Sequence, residues 1–431
     1  MNLVPPEIWL QVFEYVGGPA PSEIRLHDQP SLDLLTTKPV NVNQSPSLKA
    51  VALVSRSWRS LVLPCLFRHV LWRPDVHSLS AFTLNPIPLL RFLTDNRLAR
   101  GVITFTLVID FHDATAADYQ VAPQIRNADL EWLWDQLFSV IDPLRFTILA
   151  RPTTLAALLS CMLYLNDAWS FDIPYHIFSL ARTTRQIITE SDGVSSITSA
   201  RPQSISPAAA TTSRRLAPPR APRSRATAAC PLFTVRPWTS LLLNEGSSTK
   251  VYRGYEFYLR RPPSILGALL GCEEYPNNVP LIPQSIIDFN YIAIFPLASH
   301  FEILVEHLPK VDRLFVQLMP KPGNNVLEDS DEIKHIDPND PWLEQDTSYA
   351  ALVRKLTGPA SNSINWGLLR VFESGDAADQ ETAEMIFETE DWKVKRPGVF
   401  TRITDDEFSG WSDKVNGHVG GISNAPHSNL Q

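Results

Sequence analysis

The sequence predicts an α+β protein in several parts: helices at the N-terminus, then a long α/β region that a disordered loop interrupts. Three observations support this fold class. Apolar side chains recur at three- and four-residue spacing in residues 4–16 and 48–61, as in helices that bury one face. Strand-like and helix-like stretches alternate from residue 101 onward, which favours a parallel sheet. Residues 191–229 are Ser-, Thr-, Ala-, Pro- and Arg-rich and lack the apolar surface that folding requires.

These observations divide the chain of 431 residues into five stretches. We expect a helical unit at 1–75, the first part of the α/β domain at 76–190, a disordered loop at 191–230, the second part at 231–405 and a disordered tail at 406–431.

The first helix is predicted to begin at a pair of prolines. Proline suits this position because its φ is already near the helical value and its missing N–H would have no partner there; Pro5 and Pro6 fit this role. Glu7 lies in the first turn, where a carboxylate meets the positive end of the helix dipole. The Gly-Gly-Pro sequence at 17–19 ends the helix. The apolar face consists of Ile8, Trp9, Val12, Phe13 and Val16.

A second helix is predicted over residues 48–61, with Trp58 as a large apolar anchor, and Pro64 is expected to end the run. The insert between the two helices, residues 19–46, has no strong apolar period and is predicted to be a disordered loop. These short apolar pieces, with residues 66–72, form a core too small to be stable alone. The helical unit is therefore expected to need a partner surface.

The α/β region is predicted from runs of β-branched residues and from helical periodicity. The predicted strands are 102–109, 144–149, 287–294 and 312–318, and the predicted helices are 129–141, 153–159, 301–308 and 348–356.

Composition excludes several classes of function. A net charge of −8 argues against a general nucleic-acid binder. The sequence has four cysteines and no Cys-x-x-Cys pair; they are Cys65, Cys161, Cys230 and Cys272. This pattern favours free thiols in a reducing compartment and argues against a zinc site. The longest apolar stretch, 155–165, is shorter than the ~20 residues that cross a bilayer, and no signal peptide is evident. We expect no membrane association and a cytoplasmic or nuclear location.

Two charged stretches admit more than one interpretation. The arginines between residues 201 and 225 are expected to belong to a solvated linker; a nuclear localisation patch or a contact with an acidic partner is the alternative. The acidic residues between 328 and 340 lack the central glycine and ligand spacing of a calcium loop. A solvated loop is expected there, with a docking patch for a basic substrate as the alternative.

No catalytic constellation is evident in the sequence. It has no Gly-x-Ser-x-Gly, no phosphate-binding glycine-rich loop and no His-Glu-x-x-His. His300 and His307 share a helix face, but a third ligand is not nearby, so a structural role is favoured over a metal site. We expect no catalytic residues, no cofactor and no metal.

The N-terminal helices resemble an F-box. F-box motifs begin with Leu-Pro-x-Glu-Ile and continue with Leu-Val-Ser/Cys-Arg-x-Trp-Arg. Here Val-Pro-Pro-Glu-Ile stands at 4–8 and Leu-Val-Ser-Arg-Ser-Trp-Arg at 53–59, and Leu-Pro-Cys-Leu-Phe-Arg at 63–68 is similar to the tail common in fungal F-box proteins. The resemblance covers about a sixth of the chain, and the insert at 19–46 departs from the short turn usual in the family.

The resemblance implies an adaptor that hands a protein substrate to a ubiquitin ligase. The helices would dock on a Skp-family adaptor, which links F-box proteins to a cullin. The residues expected at this contact are Pro5, Ile8, Val12, Leu53, Val54 and Trp58. A scaffold that acts outside the ligase and an enzyme with an unrecognised site remain alternatives.

Residues 304–316 are similar to a degenerate leucine-rich repeat, although the asparagine ladder of that repeat is absent. A solenoid that offers its concave sheet face to a protein substrate is therefore expected, with a compact α/β domain as the alternative.

Overall fold

The computed structural model describes residues 4–35, 48–75, 84–110, 125–163, 175–185, 230–254, 256–321, 334–358, 364–376 and 392–403. These residues form one ten-stranded sheet and twelve α-helices. The strands are β1 (His69–Trp72), β2 (Thr104–Val108), β3 (Arg145–Ala150), β4 (His176–Ala181), β5 (Ser240–Ser247), β6 (Asp288–Ile294), β7 (Arg313–Gln317), β8 (Val371–Ser374), β9 (Trp392–Arg396) and β10 (Val399–Arg402). The helices are α1 (Pro6–Gly17), α2 (Pro21–Ile24), α3 (Leu48–Ala52), α4 (Arg56–Leu66), α5 (Ile87–Asp95), α6 (Asn127–Val140), α7 (Pro152–Leu158), α8 (Pro231–Thr234), α9 (Leu266–Leu270), α10 (Ala298–His307), α11 (Asn339–Thr357) and α12 (Ile364–Leu368).

The strands lie side by side in chain order from β1 to β8, and β10 and then β9 complete the sheet. Strands β1 to β3 are parallel to one another, as are β5 to β8. Strand β4 is antiparallel to both of its neighbours, and β10 is antiparallel to β8 and β9. The expected mixed α/β architecture is therefore confirmed, as a mostly parallel sheet.

The predicted elements of the α/β region coincide with β2, β3, β6, β7, α6, α7, α10 and α11, with shifts of a few residues at their ends and a longer α11. The predicted second helix differs, because the chain breaks into α3 and α4 at a turn. Ser55 begins α4, and its hydroxyl accepts a hydrogen bond from the Trp58 N–H at 3.2 Å, as N-cap serines do. Pro64 was expected to end this run, but it lies inside α4.

The main core lies between the helices and one face of the sheet. Helices α5 to α12 contribute to it together with alternate strand residues, among them Phe105, Phe146 and Phe178. The residues between these point to the opposite side, because successive side chains of a strand alternate. We call that side the second face; its apolar residues include Val108, Leu149, Ile177, Leu242, Ile292 and Phe315.

Residues 20–35 cover part of the second face, and we call them the covering segment. Leu26, Leu34 and Leu35 are buried in its apolar cluster, and Ser22 in α2 lies within hydrogen-bonding distance of Thr104 in β2, with 3.2 Å between the hydroxyl oxygens. The prediction of a disordered insert at 19–46 is therefore wrong for residues 19–35. Leu26, Leu34 and Leu35 show no helical or strand period in the sequence. They are nevertheless buried, because the second face of the sheet provides an apolar surface for them.

The N-terminal helices are joined directly to the edge of the sheet. Helix α4 leads into β1, and the Arg68 carbonyl accepts hydrogen bonds from the N–H groups of Ile103 and Thr104 at 2.7 and 3.2 Å. The Arg68 guanidinium lies 3.0 Å from the Glu14 carboxylate on α1. The disorder predicted at 191–230 and 406–431 and the alternatives for the arginine-rich stretch fall outside the described residues, except at Cys230. Cys230 is buried and directly precedes α8, so the predicted loop ends one residue earlier.

The packing of the covering segment can be tested with Leu34→Ala. Removing a buried leucine side chain should lower the free energy of unfolding by about 2–4 kcal/mol, from lost burial and the cavity left behind. Urea denaturation of the full chain measures this change. Leu259→Ala, at an exposed site, is the control; equal stability of the Leu34 variant and the parent protein would refute the packing.

Candidate docking surface

Helix α1 separates its apolar residues onto two faces. Trp9, Phe13 and Val16 point inward, to the small core that α1 shares with α3 and α4 around Leu48 and Val62. Ile8, Val12 and Tyr15, at positions i, i+4 and i+7, form a stripe on the outside and are 47%, 41% and 90% exposed. The period that predicts one wide apolar face thus supplies both a core face and an outward stripe.

The turn between α3 and α4 presents two further apolar side chains to solvent. Leu53 is 84% exposed and Val54 is 68% exposed. Backbone bonds from Leu53 N to the Ala50 carbonyl and from Val54 N to the Val51 carbonyl close the turn at 3.1 and 3.2 Å. The Ser55 cap then begins the next helix.

Trp58 lies in a different setting from the other predicted contact residues. Its ring is 4.8 Å from that of Trp9 and 5.4 Å from that of Phe13, measured between centroids. The side chain is half-buried in the cluster that holds α4 against α1. Trp58 therefore contributes to the packing of α4 on α1.

The structure thus places Ile8 and Val12 on one exposed stripe and Leu53 and Val54 on one exposed turn, whereas Trp58 is half-buried against the small core. Pro5 is exposed at the start of α1, where its carbonyl accepts a hydrogen bond from Ile8 N at 3.1 Å. Tyr15 was not among the predicted contact residues, although its position seven residues after Ile8 was a usable signal. We call Ile8, Val12, Tyr15, Leu53 and Val54 together the docking surface.

The chemistry of this surface suits binding. The apolar stripe and turn can exclude water against a partner of matching shape.

A separate cluster of polar side chains lies inside the main core. Glu245 on β5 is hydrogen-bonded to His300 Nε2 at 2.8 Å and to the Tyr291 hydroxyl at 2.7 Å, and Ser264 also donates to it. Burial alone would raise the pKa of Glu245, but the attraction and hydrogen bond of His300, with help from His176 and Ser264, lower it to about 2. The carboxylate is therefore ionised and held by its neighbours, among them His300.

His176 on β4 lies beside this cluster and is fully buried. Among the described residues, neither of its ring nitrogens has a hydrogen-bond partner. Burial lowers the pKa of His176 to about 4, and the nearby Glu245 only partly opposes the effect. The imidazole is thus neutral in the folded protein at physiological pH.

Within the described residues, no group of three or more His, Cys, Asp or Glu side chains is placed to hold a metal ion. No helix of the same part of the chain carries an apolar stretch of the length needed to cross a bilayer.

Comparison with family models, with curated proteins and with solved structures found no match to this chain.

The packing of Trp58 against Trp9 and Phe13 predicts a stability defect in Trp58→Ala. Loss of the indole should destabilise the packing of α1 on α4 by about 2 kcal/mol, and amide hydrogen exchange in residues 6–17 should become faster. Trp132→Ala, which removes an exposed indole on α6, should leave exchange in α1 unchanged. Unaltered protection of α1 in the Trp58 variant would contradict this assignment.

The neutral state of His176 predicts a loss of stability on acidification. In the unfolded chain the imidazole titrates near 6.5, whereas its pKa in the folded protein is about 4, so the unfolded state binds the proton more readily. The contribution of His176 is complete above pH 6.5 and declines as the pH falls from 6.5 towards 4, by about 2 kcal/mol at pH 5.

Urea titrations of the parent protein and of His176→Gln at pH 7 and pH 5 measure this contribution. The variant should lose less stability than the parent over this interval. His307→Gln, which replaces an exposed histidine, controls for removal of an imidazole. An identical loss in the parent and in the His176 variant would rule out His176 as the source.

Proposed function

We propose that this protein is a substrate-recognition adaptor of a Skp–cullin–F-box ubiquitin ligase. Its N-terminal helices dock on a Skp-family adaptor and, through it, on a cullin, and its α/β part holds a protein substrate. The proposal assigns no catalytic step and no cofactor to the chain itself. The observation that carries it is the docking surface, which lies on the same helical unit as the F-box-like sequence.

An exposed apolar surface of this kind favours protein binding on energetic grounds. Leucine and valine side chains are stabilised by burial at roughly 1.5–3 kcal/mol each, yet Leu53 and Val54 remain in solvent while Leu48 and Val62, close by in sequence, are buried. A stripe at i, i+4 and i+7 is the pattern with which a helix enters an apolar groove of a partner. Both features support a partner that covers the docking surface.

The strand order of the α/β part favours the expected repeat-like, solenoid architecture of a substrate-binding domain, and β4, which is antiparallel to both of its neighbours, interrupts the repeat. From β1 to β8 each strand lies beside its successor in the chain. A doubly wound sheet reverses its strand order at a switch point, whereas stacked repeats add each unit to the previous one. The helices that follow the strands pack on one face of the sheet, as they do when strand–helix units are stacked.

The docking surface can be tested with Leu53→Asp and Val54→Asp. Both side chains are exposed, so the fold should tolerate the change, while a carboxylate would have to be desolvated at the contact. Each variant should bind a purified Skp-family adaptor at least tenfold more weakly than the parent. Isothermal titration calorimetry with the full chain measures the dissociation constants.

Leu343→Asp is the matched control, because Leu343 is 64% exposed on α11 and belongs to the α/β part. It should bind the adaptor like the parent protein. A folded parent protein without affinity for the adaptor would overturn the proposal, and so would unchanged binding by both docking-surface variants.

A further inference from the structure

The covering segment contacts the sheet in the manner of a bound peptide. Asn244 on β5 donates from its side-chain amide to the backbone carbonyls of Leu26 and Asp28, both at 2.8 Å. Both N–H bonds of this amide are thus directed at the main chain of the segment. Such contacts recognise a backbone shape and are available to any chain that adopts it.

The sheet is locally adapted to this contact. The Asn244 side-chain oxygen accepts a hydrogen bond from Gly246 N at 3.0 Å, which fixes the amide with its nitrogen towards the segment. Gly246 has φ +75°, and a Cβ there would lie 3.0 Å from the Gln29 side-chain nitrogen and 3.3 Å from Pro30 Cδ. A glycine thus permits both the backbone conformation and the close approach of the segment.

Three neighbouring side chains of the segment meet three different environments. Leu26 is buried in the apolar cluster of the second face. The His27 ring packs on Phe315 of β7 with 4.6 Å between centroids. Asp28 forms an ion pair with Lys321 at 2.9 Å. An apolar pocket, an aromatic surface and a cation are therefore placed for the sequence Leu-x-Asp.

The shape of the segment depends on bonds within the segment itself. Asp28 N bonds to the Arg25 carbonyl at 3.1 Å, and Arg25 also contacts the Asp28 carboxylate at 3.2 Å and the Leu34 carbonyl at 2.9 Å. Since these bonds lie between residues 25 and 34, a separate peptide of this sequence can form the same turn. The sheet supplies the binding site, and the segment supplies the ligand.

We propose that the second face of the sheet is a peptide-binding groove and that the covering segment occupies it as an internal ligand. The external ligand that fits is a peptide turn with a leucine and, two residues later, a carboxylate. The identity of this ligand as a ubiquitin-ligase substrate rests on the proposed function. The groove itself is tested without any adaptor, so that failure of one proposal is distinguishable from failure of the other.

An internal ligand weakens the binding of an external one in a defined way. A tethered segment acts at a high effective concentration, of order millimolar for short flexible connections. The apparent dissociation constant of the external peptide then rises in inverse proportion to the fraction of molecules with an open groove. Weakening the internal ligand must therefore strengthen the binding of the external one.

The probe is a fluorescein-labelled synthetic peptide of residues 20–35, titrated with full-length protein in fluorescence polarisation. In one variant a Gly/Ser stretch of equal length replaces residues 21–35; in another, Leu26→Ala weakens the internal ligand while the rest of the chain is kept. Both should bind the peptide at least tenfold more tightly than the parent protein. Circular dichroism melting verifies that each variant is folded.

Two asparagines on the second face provide a matched pair. Adding Asn244→Ala to the Leu26→Ala protein should weaken peptide binding at least tenfold. Adding Asn290→Ala, whose amide contacts Asp288 and the Leu241 carbonyl, should change it less than twofold. Equal affinities of the parent and the Leu26→Ala protein would overturn the proposal, as would equal effects of the two asparagine substitutions.

Discussion

The central strands of this protein must be covered on both faces, and much of the architecture follows from that requirement. All five residues of β2 are buried, and β3, β4 and β5 are buried along nearly their whole length. A largely parallel sheet exposes no polar face to water and needs a layer on each side. Helices α5 to α12 form one layer, and the covering segment contributes to the other.

The origin of the covering segment links this requirement to the N-terminal helices. The segment follows α1 after Gly18 and Pro19 and precedes α3, so residues that cover the sheet are inserted within the helical unit itself. Helix α4 continues into β1 at the other end of the unit. The unit is therefore attached to the sheet at two points, and its orientation is set by packing as well as by chain connection.

Much of the α/β part was predictable because its signals are local. Strands such as β2 and β6 are β-branched or apolar runs, and α6 shows a helical period in its own sequence. The covering segment was not predictable, because Leu26, Leu34 and Leu35 have no period and Asn244 lies 218 positions from Leu26. Strand β4 was also missed: it contains His176 and Ser179, which are buried by neighbours from distant parts of the chain.

The difference between local signals and contacts made only in the fold also explains how much of the candidate site could be predicted. The sequence motif locates the helices, but it does not show which apolar residues face inward. Trp58, the largest residue of the motif, is half-buried and packs against the small core of Phe13, Leu48 and Val62. With three aromatic rings from Trp9, Phe13 and Trp58 packed together, the unit holds its helices without Leu53 and Val54. Those residues lie exposed in the turn between α3 and α4, outside the small core.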